Sequence, residues 1–143
     1  MKQKIEVSLS SQIVLRIMLS GIFISAGIGH LLHPQNIAKR IENTPHEWIS
    51  MFGSFEFMAI ASGIVLLIAG ILFLIGIYTR LSAWILFLSL IPITLIIQMN
   101  NGVMHGPLWK NIAIFGGLIV FMTNKNLDQI NRLIFNKYKN EKS

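Results

Sequence analysis

Six side chains that can hydrogen-bond or carry charge lie within or beside long apolar stretches of this 143-residue chain. His30 and Glu56 could exchange a proton near neutral pH if they lie close together, because an apolar surrounding favours the neutral form of both groups whereas pairing favours charge. Quinone and quinol chemistry requires such an exchange, so we expect these two to be the catalytic residues. Lys110 could orient a ligand or compensate its charge. The other candidate ligand-binding residues are Asn111, Gln98 and His105.

Three gaps in the distribution of charged residues determine which elements must position these side chains. No Asp, Glu, Lys or Arg occurs in the 22 residues between Arg16 and Lys39, the 23 between Glu56 and Arg80, or the 29 between Arg80 and Lys110. A bilayer core of about 30 Å takes about 20 helical residues, so each gap can hold one crossing. The apolar runs are continuous and do not alternate, which argues against a membrane β-barrel.

The composition agrees with a membrane protein of one domain. Hydrophobic residues make up 53% of the chain, charged residues 13%, and the mean hydropathy is +0.63. Disorder and coiled coils are excluded by these values. The chain has no cysteine, which excludes a disulfide, a thiolate metal site, an Fe–S cluster and a thiol nucleophile. A formal charge of +6 could indicate nucleic-acid binding in a soluble protein, but the charge positions fit membrane topology, so we expect no nucleic-acid partner.

We therefore predict an all-α fold, a four-transmembrane-helix antiparallel bundle that forms a single membrane domain over 1–143. The predicted spans are about 13–32, 55–77, 81–99 and 108–123, followed by a basic tail at 124–143. Pro92 should kink the third span. The fourth span would rise only about 24 Å along the membrane normal. This leaves open a protein with three spans, in which the fourth apolar segment enters the membrane without crossing it. The first loop should form a short helix or lid on the membrane surface.

The Lys and Arg residues divide unequally between the two sides of this topology. Three lie on one side (Lys39, Arg40 and Lys110) and eight on the other (Lys2, Lys4, Arg80, Lys125, Arg132, Lys137, Lys139 and Lys142). The positive-inside rule then puts both termini in the cytoplasm of a bacterial inner or plasma membrane. Arg80 is interpreted as a topology determinant, and Arg16 as a side chain that snorkels to cytoplasmic headgroups or bonds to a helix end. The first span is interpreted as a retained anchor, and the tail as either lipid-bound or solvated.

Helical spacing predicts which polar groups share a face with small residues, where helices can approach closely in lipid. The shared faces are Glu56 with Ala59, Gly63 and Gly70; Lys110 with Ala113 and Gly117; and Arg16 and His30 with Phe23. By depth, the six candidate residues belong near the external side. They could be a polar clamp that holds helices in register or a ligand and proton site. His30 and His33 could also bind metal or haem, although no third ligand stands at a supporting spacing.

With these residues in place, the chain resembles the DoxX-like family of small four-helix membrane proteins over about residues 12–123. The resemblance rests on Arg16, on Gly27-Ile28-Gly29-His30 closed by Pro34, and on Gly53 followed by Glu56. It rests further on the stretch from Gly70 through Tyr78-Thr79-Arg80 to Ala83, and on Lys110-Asn111-Ile112-Ala113-Ile114-Phe115-Gly116-Gly117. Family members often carry Lys where His30 stands here.

The resemblance implies a four-helix membrane bundle with a link to quinone-coupled oxidoreduction, since one branch includes a subunit of thiosulfate:quinone oxidoreductase. An accessory role in such a system, with quinone as a possible cofactor and a redox protein as a possible partner, is the leading hypothesis. More distant relatives act as membrane chaperones or cargo receptors, so a non-enzymatic assembly role and a transporter remain alternatives. The lipid bilayer is the expected surrounding, and a homo-oligomer is possible.

Overall fold

A computed structural model of the chain describes residues 8–45, 47–99, 102 and 104–124. These residues form five α-helices and two shorter helical segments: α1 (Leu9–Leu32), α2 (Pro34–Glu42), a 3₁₀-helix (Glu47–Phe52), α3 (Phe55–Ile75), α4 (Thr79–Ile93), a π-helical turn (Thr94–Gln98) and α5 (Gly106–Thr123). The predicted tail at 124–143 lies outside the described residues except for Asn124, and so do His46 and the basic residues Lys2 and Lys4.

Local sequence explains where the long helices start and stop. The Ser8 hydroxyl accepts a hydrogen bond from the backbone of Ser11 at 3.2 Å and begins α1. Ser54 caps α3 in the same way, at 3.3 Å from the Phe57 nitrogen. At the other end of α3, Gly76 has a φ of +83°, a left-handed conformation that glycine adopts without steric cost. The chain then reverses into α4 through Tyr78, so α3 and α4 form a tight antiparallel hairpin.

Glycines allow α1 and α3 to cross at close range, and this pair makes the most extensive contact in the bundle. A Cβ atom added to Gly27 would lie 2.9 Å from the Gly63 carbonyl oxygen and 2.9 Å from the Leu67 backbone nitrogen. Farther along the same crossing, Gly70 lies against Phe23 and Ile24. In lipid, close backbone approach is a main source of helix association, because burial of apolar surface adds little.

The core lies where α1, α3, α4 and α5 meet. Phe73 is completely buried and packs edge-to-face on Phe121, with ring centroids 4.9 Å apart. The outer surface of the bundle is apolar as well. Large hydrophobic side chains in the middle of the long helices are exposed: Met18 by 66%, Ile68 by 56% and Leu88 by 57%. Large apolar side chains on all sides are expected where hydrocarbon, and not water, surrounds the bundle.

Four helices are long and apolar enough to cross a membrane: Leu9–Leu32, Phe55–Ile75, Thr79–Gln98 and Gly106–Thr123. The predicted all-α, four-span membrane protein is therefore confirmed. The first helix begins four residues before the predicted span because Ser8 caps it, and the fourth begins two residues earlier, with Pro107 in its first turn. This extension lengthens the fourth helix to 18 residues.

Candidate functional site

One end of the bundle, which we call the α2 end, collects most of the candidate polar residues. It is formed by the end of α1, the start of α3, the π-helical turn and the start of α5. The short helix α2 follows His33 with Pro34 in its first turn, and it packs across α1, α3 and the π-helical turn. Ile37 and Ile41 are half-buried, whereas Lys39 and Arg40 are exposed. The first loop therefore covers this end of the bundle with an amphipathic helix.

His30 lies at the α2 end of the crossing between α1 and α3. Its Nδ1 atom is 2.8 Å from the Ser62 hydroxyl oxygen, and that hydroxyl donates to the Ala59 carbonyl at 2.9 Å. The His30 Cβ packs 2.9 Å from the position that a Cβ on Gly63 would take. The ring is thus held half-buried against α3 by one of its two nitrogen atoms.

The third membrane span changes its hydrogen-bond pattern two residues after Pro92. Proline has no backbone donor, and its ring crowds the carbonyl four residues earlier. The next segment, Thr94–Gln98, is π-helical, and its bond from the Met99 amide to the Thr94 carbonyl spans five residues. Such π-helical turns are rare and are frequent at functional sites. Pro92 therefore produces a local change in helix geometry at the α2 end.

A second polar contact joins this turn to α5. The Asn111 side-chain amide donates to the Thr94 hydroxyl at 2.9 Å, and the Thr94 hydroxyl donates to the Leu90 carbonyl at 2.7 Å. Asn111 and Thr94 are 3% and 6% exposed, so the contact is buried in the bundle. Gln98, at the end of the same turn, is also buried. The bond satisfies the carboxamide inside the protein and fixes α5 against α4.

Glu56 and Lys110 are placed differently from these buried groups. Glu56 lies in the first turn of α3 and is exposed; within the described part of the chain it makes no ion pair or hydrogen bond with His30. Lys110 is exposed as well, while His105 is half-buried at the start of α5. Glu56 is one helical turn from Ala59, whose carbonyl accepts from the Ser62 hydroxyl that bonds to His30. The structure brings these groups to one end of the bundle without joining them directly.

The inward face predicted for the fourth span was wrong in two of its three positions. The buried side of α5 runs through Asn111, Ile114 and Leu118, whereas Lys110 and Ala113 are exposed. The third position, Gly117, does face the protein, since its added Cβ would lie 3.0 Å from the Leu19 side chain. Helix α5 is apolar on both sides, so spacing alone could not show which side faces lipid.

Arg16 and Arg80 lie away from the α2 end. Arg16 is half-buried in the first half of α1, and its backbone carbonyl accepts a bond from the buried Ser20 hydroxyl at 2.6 Å. Arg80 is half-buried in the first turn of α4, beside the hairpin. The α2 end therefore contains His30, Glu56, Gln98, His105, Lys110 and Asn111, and neither arginine.

The α2 end holds four kinds of polar side chain: imidazole, carboxylate, amide and ammonium. Among the described residues, no group of three His, Cys, Asp or Glu side chains lies close enough to hold a metal. His33, the possible second imidazole ligand, is exposed at the junction of α1 and α2. Imidazole, carboxylate, amide and ammonium groups can instead bond to carbonyl or hydroxyl oxygens.

Sequence reasoning missed two of the polar partners, Ser62 and Thr94. Both are hydroxyl residues within apolar spans, where they commonly bond to a carbonyl of their own helix and so carry no distinct signal. Ser62 stands beside Gly63, and Thr94 follows Pro92 by two positions. A hydroxyl beside a close-packing glycine or a helix-breaking proline is a signal that could have identified them.

Comparison with known families agrees with this architecture. The family model described as DoxX matches residues 11–99, which is more than half of the 143-residue chain. The matched range contains α1 from Ser11 onward, α2 to α4 and the π-helical turn, and it leaves out α5 with His105, Lys110 and Asn111. Neither curated proteins nor solved structures gave a significant match. The chain belongs to the DoxX family.

Proposed function

From this family membership and the contacts at the α2 end, we propose that the chain is an accessory membrane subunit of a quinone-linked redox system. A quinone, or a similar apolar ligand with ring oxygens, would bind beneath α2 at the end of the α1–α3 crossing. The proposal also places both termini in the cytoplasm of a bacterial inner membrane, so the α2 end faces the exterior.

The observation that carries the proposal is the hydrogen bond between His30 and Ser62. This bond holds the ionisable His30 ring at the end of a membrane-spanning helix. The residue is half-buried, and one of its ring nitrogen atoms is hydrogen-bonded. Ionisable groups within membrane spans are uncommon and generally mark ligand or proton sites. Glu56, one helical turn from Ala59, is exposed and can exchange protons with water. A ligand oxygen or a water between the two side chains would complete a proton path.

Each polar residue then has a separate role. Reduction of a quinone takes two electrons and two protons; a partner redox protein would supply the electrons, and Glu56 and His30 would pass the protons. Lys110 is exposed and would orient the ligand or compensate charge, together with Gln98 and His105. Asn111 already bonds to Thr94, so its contribution would be to fix the wall of the site.

Two variants with a matched control test the proposal. His30→Gln and Glu56→Gln should each lower quinone reduction by membranes that contain the protein and its partner, since each removes a proton carrier. His33→Gln changes an exposed histidine three residues from His30 and should leave the rate unchanged. Mass spectrometry after purification in mild detergent should find quinone bound to the unmodified protein. Normal reduction rates in both site variants would contradict the proposed function.

A second candidate is a role in the assembly of other membrane proteins. Gly21 and Gly116 are exposed within membrane-spanning helices, and a Cβ at either would meet no atom within 4 Å. Small residues on an outer face allow another helix to approach closely. In this case Gly21→Leu or Gly116→Leu should remove a co-purifying membrane protein while redox activity stays normal. Gly63 is unsuitable for this test, because it lies inside the α1–α3 crossing.

A further inference from the structure

The Ser62 hydroxyl lies between His30 and the Ala59 carbonyl, and the direction of its hydrogen bonds determines which kind of ligand oxygen the other ring nitrogen of His30 can bind. We propose that the site prefers the hydroxyl-bearing form of its ligand, a quinol or a phenol, over the quinone carbonyl. This inference rests on the proposed function and specifies its ligand. It follows from the contacts of His30, Ser62 and Ala59 alone.

The direction is set by the Ala59 carbonyl, which can only accept. The Ser62 hydroxyl has one hydrogen and donates it to this carbonyl at 2.9 Å. In this arrangement the Ser62 oxygen accepts at 2.8 Å from His30, and Nδ1 carries the hydrogen of that bond. The bonds from His30 to Ser62 and from Ser62 to Ala59 together select the neutral tautomer with its hydrogen on Nδ1.

The other ring nitrogen, Nε2, then has a lone pair and no hydrogen. A neutral imidazole with its hydrogen on Nδ1 is an acceptor at Nε2. A quinol or phenol O–H can donate to this atom, whereas a quinone oxygen, itself an acceptor, cannot. In a half-buried, largely apolar setting, two facing acceptors are unfavourable because neither is satisfied. One net hydrogen bond corresponds to about a three- to tenfold difference in dissociation constant.

The Asn111–Thr94 contact does not reverse this preference. The Asn111 amide nitrogen already donates to Thr94, and the Thr94 hydroxyl donates to Leu90. Both groups are buried at the other side of the bundle core, between α4 and α5. This contact joins the π-helical turn to α5, whereas His30 bonds to Ser62 of α3, so it adds no donor beside the His30 ring.

The tautomer can be measured without any ligand. Nitrogen-15 NMR of histidine-labelled protein in detergent micelles separates Nδ1-protonated from Nε2-protonated rings, and His30→Gln assigns the His30 signal among the four histidines. We expect Nδ1 to be protonated, and this fraction to fall in Ser62→Ala. Ser89→Ala is the matched control, since Ser89 also donates to a carbonyl of its own helix, that of Ile85 at 2.8 Å. A ring protonated at Nε2 would overturn the inference and leave the proposed function standing.

Ligand preference is then measured by equilibrium binding of decylubiquinol and decylubiquinone under anaerobic conditions. We expect the quinol to bind about three- to tenfold more tightly, with equal binding of both forms to His30→Gln, whose amide offers a donor and an acceptor. Equal or tighter binding of the quinone to the unmodified protein would refute the preference but support the proposed site. If neither form bound above empty micelles, the proposed function would fail and the inference with it. Circular dichroism confirms that each variant keeps its helix content.

Discussion

The close crossing of α1 and α3 makes a strong prediction for two glycines of the same helix. Gly27→Ala should destabilise the protein, whereas Gly21→Ala should not. The added Cβ at position 27 would lie 2.9 Å from the Gly63 carbonyl oxygen and from the Leu67 backbone nitrogen, about 0.5 Å inside ordinary van der Waals contact. At position 21 the same Cβ would meet nothing within 4 Å.

The expected size of the effect follows from the atoms involved. Backbone atoms cannot rotate away as a side chain can, so α1 and α3 must separate along the crossing and lose contacts on both sides. Overpacking of this kind costs about 1–3 kcal/mol of unfolding free energy. In contrast, alanine at an open helical position is favoured over glycine by about 0.5–1 kcal/mol. Both variants gain this helix preference, so they should differ by the overpacking cost alone, about 1–3 kcal/mol, although each adds a single methyl group.

The assay is reversible unfolding in mixed micelles of mild detergent and dodecyl sulfate, followed by circular dichroism. The transition of Gly27→Ala should move to a lower dodecyl sulfate fraction than that of the unmodified protein, and the transition of Gly21→Ala should not. Equal transitions for the two variants would refute the close approach of α1 to α3. A rise in stability for Gly27→Ala would show that its Cβ faces lipid.

Three further results are expected. Asn111→Leu should lower the unfolding free energy by about 0.6–1.7 kcal/mol in the same micelle assay, because it removes a buried interhelical hydrogen bond; an unchanged value would contradict that bond. Phe73→Ala should cost about 3–5 kcal/mol through the cavity it leaves, and a loss below about 1 kcal/mol would place Phe73 outside the core. Met51→Cys, at an 85% exposed position in a cysteine-free chain, should react with a membrane-impermeant maleimide in intact cells, whereas Ser8→Cys should react only after permeabilisation. The opposite labelling pattern would reverse the proposed orientation.

The sequence predicts how deep in the membrane the residues of the candidate site lie, but not which way each side chain points. Counting residues from the ends of the apolar runs is sufficient to place His30, Glu56 and Lys110 at one end of the bundle. The same count does not show that Asn111 points inward and Lys110 outward, because adjacent residues differ by 100° around a helix whose two sides are both apolar. In a water-soluble bundle, a polar outer face would have resolved this ambiguity.

The hydrogen-bond partners of these polar groups were even harder to predict from the sequence. Ser62 is 32 residues from His30, and Thr94 is 17 residues from Asn111. Each pair forms only because two helices cross at particular positions. The π-helical turn after Pro92 shows the same limit: the proline predicts a disturbed helix, but not that the disturbance brings the Thr94 hydroxyl to α5.

The sequence by itself determined that the chain crosses a membrane, that it does so as four helices, and near which residues they begin and end. These properties follow from the thickness of the hydrocarbon layer and the cost of burying charge in it, and both act on consecutive residues. Only the tertiary structure decided which side of each helix faces its neighbours and that His30 is held by Ser62. Lipid and protein interior are almost equally apolar, so the choice between them depends on shape: a glycine such as Gly27 faces inward where the backbone of α3 leaves no room for a side chain.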